Sequence, residues 1–404
     1  NTLFEIKKNN GYTLEDPSDA MPQVVTVQAV GSSGHRRLEP LPPDNISVPG
    51  VLPNQKKLLT DVIDEYMREK RATEAWKEKT EYELSSLFGL FNDIASMCLQ
   101  TKDVYVEKLD RSVFVSCVEV LKKIPSNMRK KYKDAPLAEI LESVNGKDVP
   151  LLSLRTRNKY ITQISSLMKW SADKEYCKKN FAEKLKAKDE RSPHEEREPY
   201  SPEDLIKLFQ SPIYQDIDTK TPETFFLPII SLFSGMRLEE ICQLRLEDIK
   251  EIDNIFCFDI NTKVDKGVKT TAGRRIVPIH SAIVKVGFVS YLDKLAQARI
   301  DRVWPNLKRK RNKYSQDFTK WYGRYNRKHI TDNPKKVFHS FRHNFIDGLK
   351  QQGIPESIIA ELAGHAHNSV TMDRYGKRYR PDVLLKAVEQ LDYKLNLDGL
   401  KFPL

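Results

Sequence analysis

Between Val337 and Tyr379 the chain reads VFHSFRHNFIDGLKQQGIPESIIAELAGHAHNSVTMDRYGKRY, a stretch that concentrates side chains able to act on a phosphodiester. His339 and Arg342 stand three apart, so a helix beginning here presents both on one face. His365 follows an Ala-Gly pair at the end of a second helical pattern, and Tyr375 and Tyr379 lie in the polar stretch beyond it. A cation to hold an anion, an imidazole that can donate or move a proton, and a hydroxyl nucleophile are the groups that attack at phosphorus requires. Two other clusters belong with these. Arg237 follows Ser234-Gly235-Met236 with Glu240 one turn on, and Lys263, Lys266, Lys269, Arg274 and Arg275 crowd a single short stretch.

The elements that must hold these residues follow from spacing. Gly353 is the expected left-handed stop of the helix opened by His339-Ser-Phe-Arg342, and Ile354-Pro355-Glu356 opens the next, since proline is tolerated in a first turn. Ile358, Ile359 and Leu362 give that second helix an apolar side ending at Gly364, which leaves His365 just past a helix end. Phe225 to Ile249 reads as an apolar helix, a break at Ser234-Gly235 and a second helix from Arg237. Phe233, Met236, Leu238 and Ile241 around Arg237 predict partial burial, and a buried guanidinium needs an acceptor, which Glu240 can supply. Taken alone, this stretch reads more readily as a structural ion pair. Ile255 to Ile260 and Arg275 to Ile279 carry β-type residues on either side of the basic loop and predict a hairpin. A lysine-rich tip is ordinarily a solubility device; against DNA it can set an ammonium beside a phosphate.

Further helices are expected around Val284 to Ala298, Phe318 to Tyr325 and Pro381 to Leu391, followed by a tail with Leu395, Leu397, Leu400, Phe402 and Leu404. Upstream, residues 1–50 mix Pro, Gly and Ser and read as an N-terminal arm or the remnant of an upstream element. Residues 51–185 are helical in pattern: Leu58, Leu59, Val62, Ile63, Tyr66 and Met67, then Thr80 to Phe91, Phe114 to Leu121, and a helix capped by Ser153 and running to about Trp170. Arg155, Arg157 and Lys159 on its first turns are candidate phosphate contacts; the bland alternative is a solvated helix face. Residues 186–199, charged and poor in apolar side chains, read as a linker, and Ser201-Pro202-Glu203-Asp204 as the start of the next domain.

A chain of 404 residues is too long for one ordinary core, so at least two domains are expected. Net charge +11 and a pI of about 9.1 point to a polyanionic partner. Five widely spaced cysteines without a Cys-x-x-Cys pair fit a reducing cytosol and argue against a disulfide framework or a zinc site. No apolar run approaches the roughly 18 residues of a membrane span, and no signal peptide is visible. The chain opens on Asn1 rather than Met, which leads us to expect residues upstream.

In chain order, Ser-Gly-Met-Arg237-Leu-Glu-Glu-Ile-x-x-Leu, a hairpin lysine followed by Arg-Ile-Val-Pro278, His339-Ser-Phe-Arg342, Ala-Gly-His365 and Tyr375 resemble the tyrosine recombinases, also called the phage integrase family. Each fragment is weak alone; the ordered set over roughly residues 196–385 is specific. The resemblance implies a mainly α fold with a small antiparallel β-sheet: a helical core DNA-binding domain over 51–185 and a mixed α/β catalytic domain over 200–391. It also implies a site-specific recombinase that cleaves and rejoins DNA through a 3′-phosphotyrosine, integrating or excising a mobile element. In that chemistry Tyr375 attacks the scissile phosphate, Arg237 and Arg342 clamp the non-bridging oxygens, and Glu240 supports Arg237. His339 serves in acid-base catalysis on the nucleophile, His365 hydrogen-bonds a phosphate oxygen, and the hairpin lysine protonates the leaving 5′ oxygen. The family pattern sets this lysine eight or nine residues before the hairpin proline, which selects Lys269, with Lys266 the runner-up and, with Arg274, a DNA contact otherwise. The family's nucleophile stands nine residues after the second histidine, a position held here by Arg374; Tyr375 is one later and Tyr379 four beyond it.

The partners implied are double-stranded DNA, a homotetramer assembled on it, and a directionality factor or host DNA-bending protein, in a bacterial or phage-encoded cytoplasmic setting without a membrane. No cofactor and no metal are expected: His339, His365 and His367 lack a Cys or acidic cluster at usable spacing. Cyclic assemblies need heterologous contacts, and the apolar tail, residues 392–404, is the expected donor to a neighbouring subunit; folding back on its own domain is the alternative. Two other readings compete. A type IB topoisomerase uses a similar residue set without pairing two sites. A non-catalytic regulator with a helix-turn-helix over Phe338 to Gly364 leaves Arg237, the hairpin lysine and Tyr375 without a role.

Overall fold

Apolar residues at three- and four-residue spacing build the first half of the chain into helices. The computed structural model describes residues 56–403 apart from 74, 77, 134, 190–196, 217–220, 264–265, 267–272, 311 and 366–377. Two compact units divide at Arg191 and Ser192. The first holds α1 (Leu59–Ala72), α2 (Glu78–Leu99), α3 (Arg111–Lys123), α4 (Met128–Lys131), α5 (Leu137–Val144) and α6 (Leu154–Asp173). Leu59, Val62, Ile63, Tyr66 and Met67 form the buried stripe of α1. The second helix runs eight residues past the expected Phe91 because Ile94 and Ala95 continue its buried side. Asp110 caps α3 by accepting from the Val113 amide, and Ser153 caps α6 by accepting from Thr156. Phe91 and Phe114 stack at 5.8 Å within the apolar core between α2 and α3.

The second unit contains α7 (Pro202–Phe209), α8 (Pro212–Gln215), α9 (Pro222–Ser234), α10 (Leu238–Cys242), β1 (Ile249–Ile252), β2 (Ile255–Ile260), β3 (Arg275–Pro278), α11 (Ser281–Lys285), α12 (Phe288–Gln297), α13 (Gln316–His329), α14 (Ser340–Gln351), α15 (Glu356–Ala363) and α16 (Pro381–Val388). Ser201 and Asp204 close a reciprocal capping box at the start of α7. The strands form an antiparallel sheet in the order β1-β2-β3, with Phe258 opposite Ile249 on one side and Val277 on the other. The expected hairpin is thus part of a three-stranded sheet. Strand β1 escaped notice because its IKEI sequence carries two charges, and Asp253-Asn254, both at positive φ (50° and 62°), supply the two-residue turn into β2. Helix α9 is buried on all sides, and the expected helix over Val284 to Ala298 breaks into α11 and α12 at Gly287 (φ 92°).

Residues 392–403, for which the sequence leaves docking on a neighbouring subunit and folding back on their own domain as alternatives, lie in this single chain against their own unit. The Phe402 ring meets Phe225, Phe226 and Tyr291, Leu397 and Leu400 join the core, Tyr393 Oη donates to the Leu232 carbonyl at 3.2 Å, and Lys285 pairs with Asp398. Helices α9 and α12 and the segment after Val286 offer an apolar surface of the same unit that covers these side chains.

Candidate active site

Four elements of the second unit end close together, and their ends carry the candidate residues. At the end of α9, Gly235 adopts φ +62°, and a Cβ there would lie 2.3 Å from Phe345, so conformation and space both require glycine. Two residues on, Arg237 is the extended N-cap of α10. Its backbone amide donates to Glu240 Oε2 at 2.9 Å and its Nη1 to Oε1 at 2.7 Å, so one carboxylate caps the helix and holds the guanidinium, while Nη2 donates to the Gly364 carbonyl at 3.3 Å. Arg342, in the first turn of α14, is 2 % exposed; it donates to the carbonyls of Gly235 and Ala363, and its Nη2 lies 2.9 Å from His365 Nε2. Asn344 secures the same helix by exchanging two hydrogen bonds with the backbone of Tyr200. Gly364, at φ +65°, ends α15, and the His365 amide donates to the Ala360 carbonyl at 2.9 Å. An arginine can only donate, so the contact with His365 uses the Nε2 lone pair; the imidazole assigned this way is neutral with its proton on Nδ1.

Sequence reading missed the residue at the centre of this arrangement. Arg275, taken for part of a basic hairpin tip, has a side chain 1 % exposed and pairs with Glu240. Its Nη2 donates to Glu240 Oε2 at 2.8 Å, Nε to the Leu362 carbonyl at 2.7 Å and Nη1 to the Gly273 carbonyl at 2.9 Å. One signal was available: in the period-2 pattern of Arg275-Ile276-Val277 the arginine shares a face with the buried valine.

Two guanidiniums, Arg237 and Arg275, therefore share one carboxylate, with Arg342 and His365 in contact beside them. Burial opposes the Glu240 charge, but Arg275 and Arg237 overcome it and hold the carboxyl at about 2. Burial, then Arg237 and Arg275, push the Arg342 guanidinium down to about 9. His365 is lowered to about 4 by surrounding protein, then Arg342, Arg237 and Arg275; His339 is lowered to about 4 by surrounding protein, then His343, Arg342, Arg237 and Arg197. Both histidines are exposed to solvent, so water moderates the burial contribution. The site carries surplus positive charge arranged for an anion with several oxygens.

The structure brings Arg237, Glu240, Arg342 and His365 together and sets His339 at the N-cap of the helix that carries Arg342. Tyr375 and Lys269 lie outside the described residues. Tyr379, the alternative nucleophile, has its hydroxyl 2.9 Å from Ser357 Oγ, on the first turn of α15. His365 is beyond the other end of that helix, about 12 Å along its axis. Lys266 holds its ammonium against Asp248, with Asn261 Oδ1 at 3.3 Å, and has a side chain 2 % exposed; a DNA contact would first have to draw it from that carboxylate. Arg274 is exposed beside Arg275. Arg155 and Lys159 are exposed and Arg157 half-buried on α6 in the other unit, Lys159 pairing with Glu83 at 3.0 Å.

Residues 213–380 match the family model described as the phage integrase family. The match lies within the second unit and spans less than half of the chain. A probable integrase/recombinase of Aquifex aeolicus (strain VF5) is 26 % identical over 209 residues, 48 % of this chain and 65 % of that protein, so the chain spans about two-thirds of the length of the curated relative it matches. Among solved structures, the Tn1549 transposon integrase in complex with circular intermediate DNA aligns at a TM-score of 0.50 and 18 % identity, over 82 % of this chain and 99 % of that one. A lambda integrase dimer bound to a COC′ core site aligns at 0.51 and 12 %, over 80 % and 78 %. At these identities the likeness is one of fold: a mainly helical fold with a small antiparallel sheet. Among the described residues no helix is long and apolar enough to cross a membrane.

Proposed function

We propose that this chain is a site-specific DNA recombinase that breaks and rejoins strands through a 3′-phosphotyrosine, acting in the cytosol as a homotetramer on double-stranded DNA. The observation that carries the reading is the convergence of Arg237, Arg342 and His365 on one small volume, with their carboxylate and carbonyl partners on the protein side. A scissile phosphate bound there receives the two guanidiniums on its non-bridging oxygens, where charge grows in the transition state. The Tyr375 hydroxyl attacks in line, forming the tyrosine-phosphorus bond as the bond to O5′ breaks. His339 takes up the phenolic proton, Lys269 supplies one to the departing 5′ oxygen, and His365 hydrogen-bonds a phosphate oxygen. Attack by a 5′-hydroxyl from a second duplex reverses these steps. The phosphodiester energy is kept in the covalent adduct, so the cycle uses no nucleotide cofactor and no metal, and cleavage is expected to persist in excess EDTA. A directionality factor or host DNA-bending protein then selects integration or excision of the mobile element.

The test is capture on a pool of nicked suicide duplexes of randomised sequence, in which the cleaved end is lost and the adduct accumulates. The captured strands give the site, and peptide mapping of the adduct is expected to return Tyr375. Adduct on Tyr379, or none from any duplex, overturns the assignment. Exchange between two captured-site duplexes separates a recombinase from a topoisomerase, which would relax supercoils and exchange nothing.

A further inference from the structure

The proposed reaction needs Arg237, His365 and the hairpin lysine to be in register, although they come from segments far apart in the chain. Arg275 touches all three segments. Its fork meets both oxygens of Glu240 (Nη2 to Oε2 at 2.8 Å, Nη1 to Oε1 at 3.3 Å), and that same carboxylate holds Arg237. Nε donates to Leu362, two residues before the Gly364 carbonyl that accepts from Arg237 and three before His365. Nη1 donates to Gly273, where the chain returns from the basic loop into β3. Every bond is made by a side chain 1 % exposed, so the group offers nothing to DNA. Arg275 is also fitted from the other side: a Cβ on Gly364 would lie 2.7 Å from its Nη1 and 3.0 Å from its Cζ.

Resting on the reading under Proposed function, we propose that Arg275 is a positioning residue of the strand-cleavage reaction, setting Arg237, His365 and the hairpin in common register through Glu240, the Leu362 carbonyl and the Gly273 carbonyl. A buried arginine bridging two elements could serve stability alone, and that alternative fails to account for the choice of partners. The carboxylate oxygens that Arg275 grips are the ones that orient Arg237, and the carbonyls it holds flank His365 and the hairpin. A planar fork with fixed donor directions can hold three acceptors at set angles, which a lysine cannot do. Loss of the fork leaves Glu240 and Arg237 paired but free to shift together, and displacement by about 1 Å is enough to cost about 100-fold in rate.

The experiment uses the full chain and the duplex sequence captured by the wild type from the randomised pool, comparing Arg275→Lys, Arg275→Gln and Gly364→Ala. Single-turnover adduct formation at saturating DNA gives the cleavage rate, a gel shift gives DNA affinity, and circular dichroism with thermal melting gives the folded fraction. Arg275→Lys is expected to stay folded, bind within about threefold of wild type and cleave about 100-fold more slowly. Combined with Glu240→Gln it is expected to lose little beyond the larger single effect, because both act on one guanidinium. Wild-type cleavage by a folded Arg275→Lys, or losses in all variants that follow only the folded fraction, overturns the proposal. Should the less conservative variants unfold, the Lys variant and its cycle with Glu240→Gln decide the matter. Failure of the wild type to form any adduct would instead remove the underlying function, an outcome visible before any variant is made.

Discussion

The arginines of the candidate active site and the cations of α6 are the same chemistry in opposite settings. In the site each of Arg237, Arg275 and Arg342 donates to a named carboxylate or carbonyl, two of them from fully buried positions. On α6, Arg155 and Lys159 stand exposed, and the partner of Lys159 is a glutamate on a neighbouring helix. A guanidinium meant to meet growing charge must already be desolvated and aimed, since reorganisation during the reaction would cost what the charge returns. A cation meant only to neutralise a backbone phosphate works by displacing counterions and needs no fixed aim. Substitutions should therefore separate the two regions by kind of effect as well as size.

The largest effect tests the chemistry to which the buried set is devoted: Tyr375→Phe is expected to bind DNA as wild type does and form no covalent adduct on a suicide duplex, read on a denaturing gel. Next, Arg342→Ala or Arg237→Ala should lower single-turnover cleavage by about 10²- to 10³-fold, or about 2.7–4 kcal/mol, with DNA affinity changed far less. A variant that lost binding and cleavage equally would place that arginine with the α6 cations and erase the contrast.

The tail offers an intermediate effect. Deleting residues 393–404 strips Leu397, Leu400 and Phe402 from the core of the second unit, and chemical denaturation should report a loss of at least about 2–4 kcal/mol, the range for removing one large apolar side chain. Unchanged stability of the truncated protein would return the tail to the role of reaching another subunit.

A smaller effect comes from pH. His339 and His365 have folded pKa values near 4, below the ordinary 6.5, so the unfolded chain takes up their protons first as pH falls. Their contribution to stability is complete above about 6.5 and is lost as pH drops towards 4. Denaturation midpoints at pH 7.5, 6 and 5 should show it, and the His339→Gln, His365→Gln double variant should have a flatter profile across that window; an unchanged slope would count against the electrostatics described here. The smallest effect belongs to α6. Lys159→Ala should leave the cleavage rate at saturating DNA unchanged and reduce the salt slope of binding by about 0.9, as expected for one lost phosphate contact.

How much of this was readable from sequence depended on where each partner lay. Arg237 and Glu240 are three apart, so helix geometry alone predicted their pairing. Arg275 meets Glu240 from 35 residues away, and a run of basic residues conceals one inward-facing member unless strand register is applied residue by residue. The capping signals at Ser153 and Ser201 and the left-handed stops at Gly353 and Gly364 were legible because they are local. The tail's contacts within its own unit were not legible for the opposite reason: Phe225, Phe226 and Tyr291 lie more than a hundred residues upstream, and nothing in the tail's own pattern names them.

The hold on Tyr379 limits where the proposed nucleophile can go. With its amide donating to Glu361 and its hydroxyl against Ser357, Tyr379 is moored to one end of α15, and the His365 amide is bound at the other. Tyr375 precedes it by four residues, and four extended residues span at most about 14 Å. That length is a leash: with Tyr379 held on α15, covalent geometry confines the phosphate that Tyr375 is proposed to attack to that radius plus one tyrosine side chain.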